Sequence, residues 1–157
     1  MVETQKIIEF LMKNKDNPKV MSALTRSLGT YKVDAIKYLA QFTRGLNQWQ
    51  EQAIYLTGGL FSLYRENGQN NIGDICCLLN QQRYNMEPVF DALLKSKDIN
   101  VMGVYLKKII NQAKNKSIKI NWNGLLLDLL GWHDVENLVQ HKLAKSFYIN
   151  KGEKENV

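Results

Sequence analysis

The chain has 157 residues, of which 45% are hydrophobic and 23% are charged, a composition ordinary for a globular protein that buries a core. Lysine and arginine number 21 against 15 acidic residues, for a formal net charge of +6, which suits a polyanionic partner but equally a solvated surface. The two cysteines, Cys76 and Cys77, are adjacent and exclude a secreted disulfide framework. No stretch approaches the ~20 apolar residues of a membrane span, and no apolar segment follows a basic start, so we expect a cytoplasmic protein.

Helical periodicity recurs along nearly the whole chain, whereas sustained alternation of β-branched residues does not occur. Pro18 and Pro88 fall where helices can begin, and Asn17 offers an N-cap to the first of them. The pattern predicts an all-α fold, a compact bundle of eight to nine helices. They are expected at residues 4–14, 18–28, 33–43, 48–65, 72–80, 86–96, 98–115, 122–130 and 134–148.

The seventh and the last of these helices are clearly amphipathic. The seventh has an apolar stripe formed by Ile99, Met102, Leu106, Ile109 and Ala113. The last has one formed by Val135, Val139, Leu143 and Phe147. We expect Asp98 to cap the seventh helix and His133 and Asp134 to start the last one.

A polar run over residues 66–71 holds a glycine and is the best candidate for a break in the chain. We therefore predict a single helical domain over residues 1–149, with an N-terminal lobe at 1–66 and a C-terminal lobe at 72–149. The highly charged residues 150–157 are expected to form a flexible tail.

No pattern in the sequence indicates an active site. His133 and His141 are eight residues apart and fit no metal-ligand spacing. No nucleophile elbow or phosphate loop occurs, and Gly58 and Gly59 are expected to serve close helix packing. The paired cysteines lie in an apolar helix, where cysteine acts as a small hydrophobe. A nuclease would need clustered carboxylates, which the sequence lacks. We predict a protein that is not an enzyme and that holds no metal or cofactor.

Residues 83–119 carry eight cations against three acids, nearly the whole net charge of the chain. Lys95 and Lys97 sit at a helix end, where the helix dipole also favours them, but Lys107 and Lys108 fall in mid-helix. Clustered ammonium groups without a base-reading motif are typical of phosphate contact without sequence preference. Each lysine could instead be merely solvated.

Most aromatic residues recur at helical spacing among aliphatic ones and are expected in the core. These are Tyr38, Phe42, Phe61, Phe90 and Trp122. Trp49 and Tyr105 could stack on single-stranded bases or lie in the core or at a subunit interface.

The order of these features resembles that of the CasB family, the small subunits of the type I-E CRISPR complex Cascade. The similar stretches span about residues 20–148. They are the leucine- and arginine-containing segment 23–29, Tyr38 and Leu39, the long helix from Gln52 to Phe61, the short hydrophobic helix that begins at Ile72 and Gly73 and contains Leu78 and Leu79, Arg83, Phe90, the aliphatic and basic run 93–97, the segment 106–109, the segment 120–126 that enters the penultimate helix, Trp132, and the basic and aromatic end at 142–148. The chain departs from the family pattern where lysine replaces arginine, which loses the bidentate fork.

The resemblance implies a non-catalytic helical subunit that forms a homodimer within Cascade. It implies contacts with the backbone and large subunits, with the guide RNA (crRNA), and with target DNA, including the displaced strand of the R-loop. The expected strand contacts are Arg26, Lys95, Lys97, Lys107, Lys108, Lys142 and Lys145. The alternative is a helical adaptor that binds only protein.

Overall fold

A computed structural model describes residues 1–28 and 33–155, which form nine α-helices. The helices are α1 (Thr4–Lys13), α2 (Pro18–Arg26), α3 (Val33–Leu39), α4 (Gln48–Leu63), α5 (Ile72–Gln81), α6 (Glu87–Lys95), α7 (Ile99–Asn115), α8 (Trp122–Leu130) and α9 (Leu138–Glu155). A 3-10 helix spans Ala40–Phe42, and one short extended segment, β1, spans Asn67–Asn70. Within this part of the chain β1 makes only isolated bridges, both to Ile120. The all-α prediction is confirmed.

The chain divides into two compact units, Met1–Arg65 and Glu66–Val157. The boundary falls at the polar run noted in the sequence. The single domain over 1–149 with two lobes, and the flexible tail over 150–157, stay predictions. Helix α9 continues to Glu155. Gly29, the last residue of the similar stretch 23–29, and residues 156–157 lie outside the described residues.

Helices α2 and α4 in the first unit begin at asparagine caps. The Asn17 side chain accepts hydrogen bonds from the backbone N–H groups of Lys19 and Val20, at 3.1 and 3.4 Å, with Pro18 in the first turn. At α4, Asn47 and Gln50 form a reciprocal capping box, with bonds of 2.9 and 3.0 Å. Such caps satisfy backbone donors that the first helical turn otherwise leaves unpaired.

Two glycines let α4 approach its neighbours closely. A Cβ at Gly58 would lie 2.9 Å from Cδ1 of Leu39, and one at Gly59 would lie 2.7 Å from Cδ2 of Leu28. Real Cβ atoms essentially never come that near. The prediction that these glycines serve close helix packing is confirmed.

The second unit is centred on α5, which packs against α6, α7 and α9. An Asn71–Asp74 capping box starts α5, with bonds of 2.8 and 3.0 Å, and Nδ2 of Asn71 also donates to Oγ of Ser146 on α9 at 2.9 Å. A Cβ at Gly73 would overlap the carbonyl oxygen of Leu143 and lie 2.9 Å from Cβ of Ser146. Only glycine permits this crossing of α5 and α9.

Two buried tryptophans fix the loops of the second unit. The indole N–H of Trp122 donates to the carbonyl of Glu66 at 2.9 Å, and that of Trp132 donates to the carbonyl of Ser96 at 2.8 Å. The two residues are 0% and 3% exposed. Each bond gives the buried indole N–H an acceptor. Each also links residues that are far apart in the sequence.

The predicted start of the last helix was wrong. Helix α9 begins at Leu138 instead of residue 134, and Val135, placed on the apolar stripe, is 94% exposed. The Asp134 carboxylate accepts from the backbone N–H of Glu136 at 2.8 Å, and Asn137 has φ 54°. This side-chain turn and the left-handed residue compete with helix over residues 134–137. Leu143 and Phe147, further along the stripe, are buried as predicted.

Helices α5 and α7 end in the same backbone motif. The N–H of Tyr84 bonds to the carbonyl of Leu79 at 3.1 Å, and the N–H of Ile118 bonds to the carbonyl of Ala113 at 2.9 Å. These are the 6→1 bonds of the Schellman motif, in which the residue before the donor is left-handed and usually glycine. Here the left-handed positions hold Arg83 (φ 68°) and Ser117 (φ 57°).

The energetic balance at Arg83 is close. A left-handed L-residue other than glycine costs roughly 1–2 kcal/mol. A cation at an exposed helix C-terminus gains about 0.3–1 kcal/mol from the helix dipole, and glycine would lose roughly 0.5–1 kcal/mol in backbone entropy. The backbone cost of arginine is therefore comparable with these two terms together.

Candidate nucleic-acid interface

Helix α7 presents the adjacent lysines Lys107 and Lys108 on its exposed face. The helix begins where the Asp98 carboxylate accepts two backbone N–H groups of the first turn, at 2.8 and 3.2 Å, as predicted. The apolar stripe on the opposite face is buried in full. Its members are Ile99, Met102, Leu106, Ile109 and Ala113. Burial of this stripe fixes the orientation of the helix and thereby directs both lysines outward.

Four of the seven predicted contact cations form no ion pair with any carboxylate in the described residues. They are Lys97, Lys107, Lys108 and Lys145. All four are exposed. A phosphate that approaches these ammonium groups can form charge-assisted hydrogen bonds to them without breaking an existing ion pair.

Arg26 and Lys95 are exposed but paired. Nε of Arg26, on α2, lies 2.7 Å from Oδ2 of Asp34, and Nζ of Lys95 lies 2.9 Å from Oδ2 of Asp91, one turn earlier on α6. Exposed ion pairs contribute only about 0–1 kcal/mol. A phosphate can therefore exchange with either carboxylate at small cost. Arg26 belongs to the first unit, whereas the other six predicted cations belong to the second.

Lys142 on α9 is paired with a buried carboxylate, that of Asp128 on α8. The Asp128 side chain is only 6% exposed, whereas that of Lys142 is 53% exposed. Burial raises the pKa of the Asp128 carboxyl, and the hydrogen bond and the charge of Lys142 act against that rise. Lys142 therefore stabilises the fold, since its removal would leave a buried carboxylate without its ammonium partner.

An open groove along α9 brings Lys142 and Lys145 together. Its lining consists of Leu138, His141, Lys142, Lys145, Ser146 and Ile149. Leu138 and Ile149, at its two ends, are 58% and 50% exposed. The groove therefore combines cations with exposed apolar side chains, as does the exposed face of α7, where Val104 is 56% exposed.

The family model described as CRISPR-associated protein Cse2 matches residues 20–148 of the chain. The chain belongs to the Cse2 family. The matched range coincides with the stretch in which the sequence resembles CasB, and that resemblance is confirmed.

Solved structures support the fold of this Cse2-family chain. It is similar to a CRISPR-associated Cse2-family protein from Thermus thermophilus, with 22% identity, a TM-score of 0.81, and coverage of 94% of this chain and 99% of that one. It is similar to CasB from M. ruber, with 21% identity, a TM-score of 0.75, and coverage of 99% and 98%. A chain of a CRISPR RNA-guided surveillance complex, pre-nicking, shares 14% identity at a TM-score of 0.80, with coverage of 98% and 96%. At these identities the likeness establishes the fold. No curated protein sequence matches the chain.

The aromatic residues of this Cse2-family chain are mostly structural. Phe61, Phe90 and Trp122 are fully buried, as predicted. Tyr38 and Phe42, expected in the core, are half-buried, and Phe42 stacks edge-on against Phe10 with ring centroids 5.5 Å apart. The alternative stacking platforms, Trp49 and Tyr105, are half-buried too, and their role stays a prediction.

The cysteines and carboxylates have structural surroundings. Cys76 and Cys77 are buried free thiols, and burial raises the pKa of the Cys76 thiol far above its ordinary value. A thiol of that kind is a poor nucleophile.

In the described residues no group of three or more His, Cys, Asp or Glu side chains is placed to hold a metal ion. None of the described helices has the length and apolarity to cross a membrane.

The carboxylate partners of the cations are what the sequence reasoning missed. Asp91 and Lys95 are four residues apart on one helix, a spacing that predicts an ion pair. Asp128 and Lys142 lie on different helices, so no local pattern signals their contact. The sequence gives Asp128 no evident partner, and the tertiary structure supplies one.

Proposed function

We propose that this Cse2-family chain is the non-catalytic small subunit of the type I-E RNA-guided surveillance complex Cascade. It binds nucleic acid without sequence preference through a basic surface. In this role it stabilises the crRNA–target DNA hybrid and the displaced strand of the R-loop during antiviral defence. The observation that carries the proposal is the pair Lys107 and Lys108, exposed side by side on α7 with no carboxylate partner in the described residues.

The mechanism is electrostatic. Forming an R-loop exchanges one duplex for another of similar stability, so contacts to the backbone of the extruded strand shift the balance toward the open state. The four unpaired lysines would neutralise about four phosphates, which gives a slope of about −3 in the dependence of log K on log salt for a single strand. Lysine acts here as a point charge and reads no base, in keeping with phosphate contact.

The other partners follow from the same proposal. The subunit would contact the backbone and large subunits of the complex and a second copy of itself. The likeness in fold to a chain of a CRISPR RNA-guided surveillance complex supports this. The buried thiols and the capping or pairing roles of Asp74, Asp91 and Asp128 support a subunit without catalysis.

Charge reversal at Lys107 and Lys108 tests the proposal. We expect Lys107→Glu with Lys108→Glu to weaken binding of the displaced strand at least about ten-fold and to flatten the salt slope by about 1.4, two phosphates at 0.7 each. R-loop lifetime in the assembled complex should fall while subunit composition by mass stays intact. The matched control is Lys6→Glu with Lys13→Glu, the same charge change on exposed residues of α1. Equal R-loop lifetimes in the two variants would contradict the proposal.

A helical adaptor that binds only protein is the second candidate, and the groove on α9 favours it. Leu138 and Ile149 are exposed apolar side chains of a kind that docks protein better than phosphate. Purification through this chain distinguishes the two. A short RNA that copurifies with several subunits supports Cascade, whereas protein partners without RNA support the adaptor.

A further inference from the structure

The segment that joins α8 to α9 is exposed along its whole length. We name residues 133–138 the α8–α9 turn; every one of them is exposed. Val135, with 94% of its surface exposed, and Leu138 are its apolar members. Leu127, near the end of α8, is a third exposed apolar residue. This part of the second unit therefore presents apolar side chains to solvent.

Hydrogen bonds fix the conformation of the α8–α9 turn. The N–H of Asp134 bonds to the carbonyl of Gly131 at 3.1 Å, and the N–H of Asn137 bonds to the carbonyl of Asp134 at 3.0 Å. The turn follows the buried Trp132, whose carbonyl accepts from Nε2 of Gln140 at 2.8 Å. A surface that is already ordered loses little conformational entropy when a partner binds.

The exposed apolar residues lie at one end of the α8–α9 pair. A Cβ at Gly131 would lie 3.3 Å from Cγ2 of Val139 and 3.6 Å from the carbonyl oxygen of Leu127. The end of α8 and the start of α9 therefore meet. Leu127 precedes this meeting point by one helical turn, Leu138 begins α9, and Val135 lies between them in the chain.

The backbone directs Val135 away from the core. A helix that continued through residue 135 would place Val135 on the same face as Val139, Leu143 and Phe147, because residues four apart share a helix face. The left-handed Asn137, at φ 54°, prevents this continuation. The local structure thus exposes a valine that the hydrophobic pattern would bury, and departures of this kind are expected at functional sites.

The α8–α9 turn is acidic, although the chain as a whole is basic. Asp134 and Glu136 are exposed and form no ion pair within the described residues. Residues 120–141 contain no lysine or arginine, in a chain of net charge +6. Carboxylates repel phosphates, so a nucleic acid is a poor ligand for this surface. A partner with cations suits it instead.

We propose that the α8–α9 turn is a docking surface for another protein, which receives Val135 in an apolar pocket rimmed by lysine or arginine side chains. Protein interfaces commonly have an apolar centre and a polar rim, and the charges on the two sides are complementary. Asp134 and Glu136 would face the cations of that rim. This rests on the proposed function, in that the occupant is a different protein subunit of the same complex.

Photo-cross-linking tests which molecule covers the turn. The full chain, with p-benzoylphenylalanine in place of Val135, is irradiated in the assembled complex, and the products are identified by mass spectrometry. We expect a cross-link to a protein subunit other than this chain, in a peptide that contains lysine or arginine beside apolar residues. The same group in place of Lys6, an exposed residue of α1, should not give that product. A cross-link from position 135 only to nucleic acid or to a second copy of this chain, or no cross-link, would overturn the proposal.

Association measurements test the apolar contact. The probe is the complex purified without this chain, and its binding to the immobilised chain is followed by biolayer interferometry. We expect Val135→Asn with Leu138→Gln to weaken binding about ten-fold, with Tm unchanged because both side chains are exposed. The matched control is Val33→Asn, which changes an exposed valine of α3 and should alter affinity less than two-fold.

Charge reversal tests the acidic part of the surface. The side chain of Asp134 accepts the N–H of Glu136, so Glu136 is the residue to change. We expect Glu136→Lys to weaken association about five-fold at low salt, and this difference to disappear at high salt, where exposed charges are screened. If Glu136→Lys strengthens association, the partner surface is not basic and the proposal fails.

Binding of a fluorescein-labelled oligothymidine strand distinguishes this surface from strand binding. All variants of the α8–α9 turn should bind the strand as wild type does. If they do, but Val135→Asn with Leu138→Gln also associates with the complex as tightly as wild type, the docking surface fails and the proposed function stands. If wild type does not bind the strand but position 135 still cross-links to another subunit, strand binding fails and the docking surface stands.

Discussion

Two lysine-bearing regions of the second unit differ in what their charges do. Lys142 on α9 pairs with Asp128 on α8, a carboxylate whose side chain is 6% exposed. On the exposed face of α7, Lys107 and Lys108 have no carboxylate partner in the part of the chain that the structure describes. Lysine thus stabilises the fold at Lys142, whereas Lys107 and Lys108 remain available to bind a ligand.

The difference shows why counting cations along the sequence overstates a binding surface. A lysine that compensates a buried carboxylate cannot leave it without a cost to stability, since the carboxylate would remain desolvated. A lysine on an exposed face has only its own hydration and rotamer freedom to lose. We therefore rank Lys107 and Lys108 above Lys142 as strand contacts.

The largest expected effect comes from disturbing the close packing of α9 against α5. Gly73→Ala places a Cβ against the carbonyl oxygen of Leu143, and a backbone atom cannot move aside as a side chain can. We expect a loss of about 3 kcal/mol in the free energy of unfolding, measured by urea denaturation. Gly131→Ala is the control, since its Cβ would lie 3.3 Å from Cγ2 of Val139 and 3.6 Å from the carbonyl oxygen of Leu127, and it should cost less than about 1 kcal/mol. Similar losses in both variants would contradict the close crossing of α5 and α9.

A smaller effect should follow from removing the ammonium group that faces Asp128. Lys142→Met is expected to lower the free energy of unfolding by about 1–2 kcal/mol at pH 7, less than for a fully buried pair because Lys142 is half exposed. Asp128→Asn added to Lys142→Met should restore most of it. No loss in the single variant would show that the pair is not structural.

The same variant has a defined pH dependence. Because burial raises the pKa of the folded Asp128 carboxyl above its unfolded value, its protonated form favours folding, and that contribution is lost as pH rises through the folded pKa. Without Lys142, which lowers this pKa, the carboxyl titrates at a higher pH. We therefore expect the loss caused by Lys142→Met to shrink as pH falls from 7 toward 4, as measured by urea denaturation at each pH. A loss that is constant across this range would exclude Asp128 as its cause.

The smallest effect concerns Lys95, whose partner is exposed. Asp91→Asn frees Lys95 and should change the free energy of unfolding by less than about 0.5 kcal/mol, while affinity for a fluorescein-labelled single strand of thirty thymidines rises about two-fold. Lys97→Gln, which removes an unpaired cation near the same helix end, should lower affinity about three-fold. Anisotropy titrations at one salt concentration check both. If Asp91→Asn lowers affinity, pairing does not withhold Lys95 from the strand.

The helices were well predicted because their signals are local. Asn17 with Pro18, and Asp98 before a buried stripe, fix helix starts that the structure reproduces. The start of α9 was missed because hydrophobic period alone suggested Val135, whereas the turn made by Asp134 and the left-handed Asn137 end that pattern. Short polar side chains can favour a turn over a helix, and spacing does not reveal which one forms.

The candidate site was predicted only in part. The cation excess over residues 83–119 and the mid-helix position of Lys107 and Lys108 are visible in the sequence, and the structure exposes both lysines. The partner of Lys142 and the approach of Lys116 to Tyr84 join residues 14 and 32 positions apart. No local pattern predicts contacts between different elements at such separations.

The sequence by itself determined the helices, their apolar faces and the family, because caps, period and motif order are properties of neighbouring residues. The tertiary structure alone decided which cations are paired with carboxylates of another element, such as Lys142 with Asp128. That outcome depends on how helices cross, and the crossing of α5 and α9 depends on the missing Cβ of Gly73. The sequence specifies where the cations stand along the chain. Packing decides which of them can bind a ligand, because a buried carboxylate requires a cation beside it.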